Sequence, residues 1–185
     1  MKWNPLVDVT DYGAEAVDDR LQVGAASGRA YAAGRLSPEV VAEQEKLVWA
    51  DTVVVQFPLW WFGVPAILKG WIDRVFIKGF AYGLSGEDGR TLHYGEGRLA
   101  GKRAMVVVTG GASDVSLGPR GINGSLDDLL FSLEHGTFFY TGMAVLPPFA
   151  LYRADRVPDE QYVEAHDSLV GDRAPGVTGT AIHLR

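Results

Sequence analysis

The sequence predicts an α/β fold: a parallel sheet with helices on its faces. Three observations predict it. Two short apolar runs, Thr52-Val53-Val54-Val55-Gln56-Phe57 and Ala104-Met105-Val106-Val107-Val108-Thr109, have the β-branched composition of strands buried on both faces. Segments with helical apolar spacing alternate with them, which implies crossover connections and parallel strands. Both runs then open into loops of distinctive composition, and in such sheets ligands gather at the carboxyl ends of the strands.

The elements follow in order. Residues 1–36 are weakly patterned, with Gly24, Gly28 and Gly34 scattered among small and charged residues, and are expected to form an irregular lead-in. Ser37-Pro38 starts a helix, serine at the cap and proline at the first helical position. Val40, Val41, Leu47 and Val48 give its buried face, and Asp51 ends it. After the first strand and its loop, Pro65 begins a helix with apolar residues at Leu68, Trp71, Ile72, Val75 and Phe76. Residues 83–101 are rich in glycine and charge and read as a long loop. The second strand ends at Gly110-Gly111 in another loop of small and polar residues. Ser125 with Asp128 forms a capping box for a helix whose face is Leu126, Leu129, Leu130 and Leu133. Thr137 to Leu146 reads as a third strand ended by Pro147-Pro148. Pro158 starts a last helix to about Val170, and residues 171–185 are expected to be an irregular tail. The whole chain, 1–185, reads as a single domain.

The composition excludes several classes of function. The chain has 185 residues, 47% of them hydrophobic and 22% charged, enough for one sizeable core. A formal net charge of -6 argues against nucleic acid and anionic membranes as partners. There is no cysteine, which removes disulfides, thiolate metal sites and cysteine catalysis. His93, His135, His166 and His183 lack metal-ligand spacing, so no metal is expected. No nucleophile-elbow pattern supports a serine triad. Residues 52–68 are almost uncharged, but Pro58, Pro65 and Gln56 interrupt them. They read as strand, loop and helix start rather than a membrane span. The start Met1-Lys2-Trp3-Asn4-Pro5 lacks an apolar signal region, so the expected location is cytoplasmic, without membrane insertion.

The most informative segment is Pro58-Leu59-Trp60-Trp61-Phe62. Three consecutive aromatics in a loop are costly unless something flat covers them. They supply an apolar wall for a flat ring. Backbone amides of the same loop can bond the ring's polar edge, and the N-terminus of the following helix adds partial positive charge. The bland alternative is that the aromatics pack into a core or a dimer interface. Thr109-Gly110-Gly111, one strand away, offers a hydroxyl and close backbone approach, although this tripeptide is also an ordinary strand-ending turn.

The segment Gln56 to Phe76 resembles the signature of the NAD(P)H quinone oxidoreductases. The likeness extends through Phe80-Ala81-Tyr82, Thr109-Gly110-Gly111, Gly121-Ile122-Asn123-Gly124 and Val145-Leu146-Pro147-Pro148. Tyr94-Gly95-Glu96-Gly97 leading to Gly101-Lys102-Arg103 looks like the bacterial members. The resemblance implies a flavodoxin-like fold, bound FMN or FAD, and a homodimer with the flavin site at its interface. It also implies ping-pong hydride transfer from NAD(P)H, as co-substrate, to a small-molecule quinone. Pro58, Leu59, Trp60, Trp61, Phe62, Thr109, Gly110 and Gly111 are the implied flavin-binding residues. Tyr82 and Asn123 are the implied substrate side.

Three departures stand beside the likeness. The animal enzymes usually have glutamine where Trp60 stands. They also carry a tyrosine and a histidine in the loop after the paired glycines. Here Asn123 occupies the histidine position, and Val115 or Ser116 stands near that of the tyrosine. Asn123 donates a hydrogen bond but is no proton acid at neutral pH, so its implied catalytic role is to orient. Finally, Met1 aligns with a point after the family's second strand. The strand-loop-helix-strand that holds the flavin phosphate is absent, and the fold is expected to be N-terminally incomplete. That loss would leave the strand at 52–57 with an open edge. The alternative functions are an ancillary subunit of a potassium-efflux system and an inactive truncated remnant.

Overall fold

The computed structural model of the protein describes residues 3–13, 20–171 and 181–184. The chain enters through an extended segment with a short 3-10 turn at Val9–Asp11, then forms helices α1 (Val23–Ala32) and α2 (Pro38–Trp49). Strand β1 (Thr52–Pro58) leads into α3 (Ala66–Val75). A small hairpin, β2 (Leu84–Ser85) and β3 (Thr91–Leu92), precedes β4 (Arg103–Gly110). Helix α4 (Leu126–Leu133) continues into a π-helical turn over Glu134–Phe139. Strands β5 (Ala144–Val145) and β6 (Phe149–Tyr152), helix α5 (Asp159–Gly171) and strand β7 (Ala181–Leu184) complete the described chain.

The centre is the predicted parallel sheet. β1 pairs with β4 from Thr52 opposite Arg103 to Pro58 opposite Thr109. β5 and β6 both lie along the other edge of β4, parallel to it, as one strand line interrupted at Leu146-Pro147-Pro148. β7 lies along the outer edge of β1, parallel, with Thr52 opposite Ala181 and Val55 opposite Leu184.

One face of this sheet makes the core. Val53, Val55 and Phe57 of β1 and Val106 and Val108 of β4 are buried with Trp71 and Val75 of α3 and Val40 and Leu47 of α2. Burying each such aliphatic side chain stabilises by roughly 1.5–3 kcal/mol. Polar contacts set the helix positions. The Trp71 indole donates to Glu43 at 3.0 Å, and the Gln44 amide donates to the Val75 carbonyl at the end of α3, also at 3.0 Å. Lys102 donates to the Val48 and Ala50 carbonyls at 2.6 Å, placing a cation on the orphan acceptors at the end of α2.

The lead-in is pinned by Arg74, which is almost fully buried on α3. Its Nε donates to both Asp11 carboxylate oxygens at 3.1 and 3.0 Å, its Nη1 to the Asn4 carbonyl at 2.8 Å, and its Nη2 also reaches Glu39. The Trp3 ring covers the guanidinium at 4.5 Å. Burial alone would lower the arginine's pKa, but its bonds to Asp11 and Glu39 outweigh that and raise it. Gly70 lets the chain pass over α3: a Cβ there would lie 2.2 Å from the Pro5 Cα.

Several expectations need correction. Residues 1–36 are not wholly irregular, because α1 spans Val23–Ala32 and buries Ala26, Ser27 and Ala30. On α2, Val41 and Val48 are exposed, and Gln44 takes the buried position through its bond to Val75. β1 is covered fully on one face only, since Val54 and Pro58 are half-buried and Gln56 is exposed. The open face borders a cavity of about 610 Å³ under α5, lined by Val54, Gln56, Phe149, Leu151, Tyr162 and His166 among others. The 83–101 loop contains the β2–β3 hairpin. The strand expected over 137–146 is a π-helical turn followed by two strand residues, and pairing resumes beyond the prolines at Phe149. The tail expected to be irregular contains β7, which closes the β1 edge expected to be open; residues 172–180 lie outside the described residues. Among the described residues no helix is long and apolar enough to cross a membrane.

Candidate ring-binding site

The parallel register of β1 and β4 puts their carboxyl-end loops side by side. The Leu59 amide donates to the Thr109 carbonyl at 2.8 Å, one residue beyond the last paired position. Pro58–Phe62 and Thr109–Gly111 therefore form one continuous surface.

The aromatic loop turns back at once. The Gly63 amide donates to the Trp60 carbonyl at 3.0 Å, which closes a four-residue turn. Its central residues, Trp61 and Phe62, both have positive φ, 51° and 59°. That is the pattern of a type I′ turn, in which Asn-Gly is favoured and a bulky residue costs about 1–3 kcal/mol. Trp61 is 97% exposed, Trp60 64% and Phe62 44%. The aromatics are thus neither in the core nor relaxed. The amides of Trp61 and Phe62 bond to no described residue, so both are available as donors. Beside them, a Cβ on Gly110 would meet nothing within 4 Å, and one on Gly111 only Asp155 at 3.7 Å. The space next to this backbone is open.

The other anticipated residues lie elsewhere. Tyr82 lines a separate cavity of about 440 Å³ with Ile72, Phe76, Tyr140 and Thr141, between α3 and the π-helical turn. Asn123 is half-buried in the loop before α4, where its amide donates to the Ser116 carbonyl at 3.1 Å. Gly121 permits that close loop packing, since a Cβ there would lie 2.3 Å from the Ser116 carbonyl oxygen.

Residues 2–170 match the family model described as a flavodoxin-like fold. The chain belongs to this flavodoxin-like family. Its curated relatives include a ribosyldihydronicotinamide dehydrogenase-like protein from Penicillium crustosum, 48% identical over 84% of this chain and 59% of the relative. NAD(P)H dehydrogenase [quinone] 1 from Rattus norvegicus is 38% identical over 89% of this chain and 58% of the relative. The chain thus spans less than two thirds of the length of these curated relatives. Among solved structures, a Klebsiella pneumoniae protein described as a quinone reductase superposes with a TM-score of 0.83 at 47% identity, covering 91% of this chain and 69% of that one. General stress protein 14 from Treponema denticola, solved with FMN, gives a TM-score of 0.55 at 27% identity and covers 77% of this chain and 75% of that one.

Sequence reasoning passed over three features of this flavodoxin-like chain. Tyr140 joins Tyr82 because the π-helical turn brings it there, and nothing local signals such a turn. Glu134, where α4 becomes that turn, has a buried Oε1 with no partner among the described residues. Burial, aided by Asp127, pushes its carboxyl up to about 7. Arg153 and Arg156 lie beside Gly111 around a cavity of about 630 Å³. Their signal was available: a basic pair at the carboxyl end of a strand, just before a helix.

Proposed function

We propose that the chain is a flavin-dependent NAD(P)H:quinone oxidoreductase, with the flavin ring on the surface made by Pro58–Phe62 and Thr109–Gly111. The supporting observation is the turn at Trp60–Gly63: two exposed aromatics in left-handed conformations, with free amides, against open space at Gly110. Strain of this kind persists where a ligand contact makes use of it.

The residues present fit a flat heteroaromatic ring. Trp60, Trp61 and Phe62 provide apolar area and stacking, and the amides of Trp61 and Phe62 offer donors to its polar edge. The Thr109 hydroxyl and the backbone at Gly110 and Gly111 serve its other polar side. Bound there, a flavin supplies two-electron hydride chemistry, taking from NAD(P)H and giving to a quinone in ping-pong order. The chain's residues exclude water from one ring face, orient the ring, and complement negative charge with backbone donors and the α3 N-terminus. Asn123 orients the acceptor by hydrogen bonding. Tyr82, with Tyr140, forms an aromatic cavity for the substrate side, supplied to the ring of a second copy in a homodimer. The names of the relatives support the donor and acceptor classes, and the FMN-bound structure supports a flavin; FMN and FAD both fit this ring surface.

The test is a flavin titration of the 185-residue chain followed by fluorescence and visible absorbance, then NAD(P)H oxidation with a quinone acceptor. Saturable binding and quinone-dependent turnover are expected. A flavin-loaded sample that turns over no quinone would overturn the enzymatic reading.

A further inference from the structure

Beyond the ring surface, the largest polar concavity described is the cavity of about 630 Å³ lined by Gly111, Ser113, Tyr152, Arg153, Arg156 and Gln161, with Val157 and Pro158 completing it. Its size suits a nucleotide fragment. It starts at Gly111, the end of the ring cradle, and extends to the first turn of α5.

The backbone holds the arginines in place. The Arg153 amide donates to the Ala112 carbonyl at 3.1 Å, the Ala154 amide to Gly110 at 2.9 Å, and the Arg156 amide to the Arg153 carbonyl at 2.8 Å. These bonds stitch the loop after β6 to the loop after β4. Arg153 itself has φ 51°, a left-handed conformation that a non-glycine residue adopts at a cost. Arg156 is engaged by Asp155, its Nε donating to Oδ2 at 3.0 Å, and Asp155 also borders Gly111. Arg153 pairs with no carboxylate among the described residues. One free guanidinium, one shared with Asp155, a serine hydroxyl and a glutamine amide make a donor set for a phosphate group.

We propose that Arg153 and Arg156, with Ser113 and Gln161, form a subsite for the phosphate groups of a nucleotide whose ring end lies on Thr109–Gly111. The proposal rests on the reading above for what the nucleotide is, and names where its charge goes. The phosphates belong either to the flavin or to the reduced dinucleotide. Arg153 dominates, because a ligand must compete with Asp155 for Arg156.

The test is calorimetric titration of the 185-residue chain with ADP, adenosine, FMN and riboflavin, in wild type, Arg153→Gly and the Arg153→Gly/Arg156→Ala double variant. Glycine relaxes the left-handed position, so the variant removes charge without straining the fold. Wild type is expected to bind at least one phosphorylated ligand roughly tenfold or more tightly than its phosphate-free partner, a gap of about 1.4 kcal/mol. The double variant should erase that gap, and Arg153→Gly should take most of it. Loss of the ADP gap assigns the site to the dinucleotide donor, and loss of the FMN gap assigns it to the cofactor. If both gaps are absent in wild type, or survive the double substitution, the subsite is overturned. Should riboflavin bind nowhere, the ring site fails by itself, and the ADP and adenosine pair still decides the subsite.

Discussion

The Leu59 amide donates to the Thr109 carbonyl at 2.8 Å, just past the end of the β1–β4 ladder. This bond joins the aromatic loop to the loop that carries Gly110 and Gly111. Strand register, rather than any side-chain contact, brings the two halves of the proposed ring site together.

Trp61→Ala tests that site with little risk to the fold, because the side chain is 97% exposed. An aromatic contact is worth about 0.5–1.5 kcal/mol beyond its area, so flavin Kd should rise by roughly 2- to 12-fold. The melting temperature should hold steady. An unchanged Kd would mean that the indole does not touch the ring.

Asp11→Ala removes the main partner of buried Arg74. Breaking a buried ion pair on one side costs about 3–5 kcal/mol, and Glu39, half-exposed, compensates only in part. Denaturant unfolding should show a loss of this order. An Asp11→Leu/Arg74→Met double variant should lose less than Asp11→Ala, since it leaves no unpaired charge.

Gly70→Ala separates helix propensity from packing. Alanine in a helix interior is favoured over glycine by about 1 kcal/mol. Here the new methyl meets Pro5 at 2.2 Å, and overpacking costs about 1–3 kcal/mol. The variant should be less stable than wild type by thermal melting. A gain would show that the lead-in shifts freely over α3.

Glu134 makes stability depend on pH. Its carboxyl titrates near 4.5 when unfolded and at about 7 when folded, so the folded state holds the proton more tightly. The associated stability is complete below about 4.5 and is lost as pH rises through about 7. Glu134→Gln should therefore raise stability at pH 8 and change it little at pH 4.5. Solvent reaches part of this carboxyl, so the gain should be about 1–2 kcal/mol rather than the full shift. Equal effects at both pH values would exclude titration of Glu134 as the cause.

The fold was legible where local pattern and tertiary environment agree. The runs at 52–57 and 104–109 became β1 and β4, and Leu68, Trp71, Ile72, Val75 and Phe76 all face the core. The failure at 137–146 has a clear cause. Thr137, Phe138, Phe139 and Tyr140 have strand propensity, but α4 runs on, and Tyr140 bonds back to His135 at 3.1 Å while Phe138 is fully buried. Core packing overrode intrinsic preference. β7 was illegible because its pairing with β1 is non-local. At the candidate site, the aromatic loop stood out by composition and the family likeness named its partner loop. Arg153 and Arg156 did not, since two loop arginines gain meaning only when the sheet places them beside Gly111.

The turn at Trp61–Phe62 sets folding and chemistry against each other. A sequence chosen for foldability alone would write Asn-Gly there, and that exchange should make the apoprotein harder to melt while stripping the wall from the ring surface. Directed evolution screened only for thermal resistance would drift toward that exchange and yield a sturdier protein that has stopped doing its work. Screening under ligand would keep the indoles. The aromatic pair is thus the position at which a stabilisation campaign on this chain should be forbidden to act.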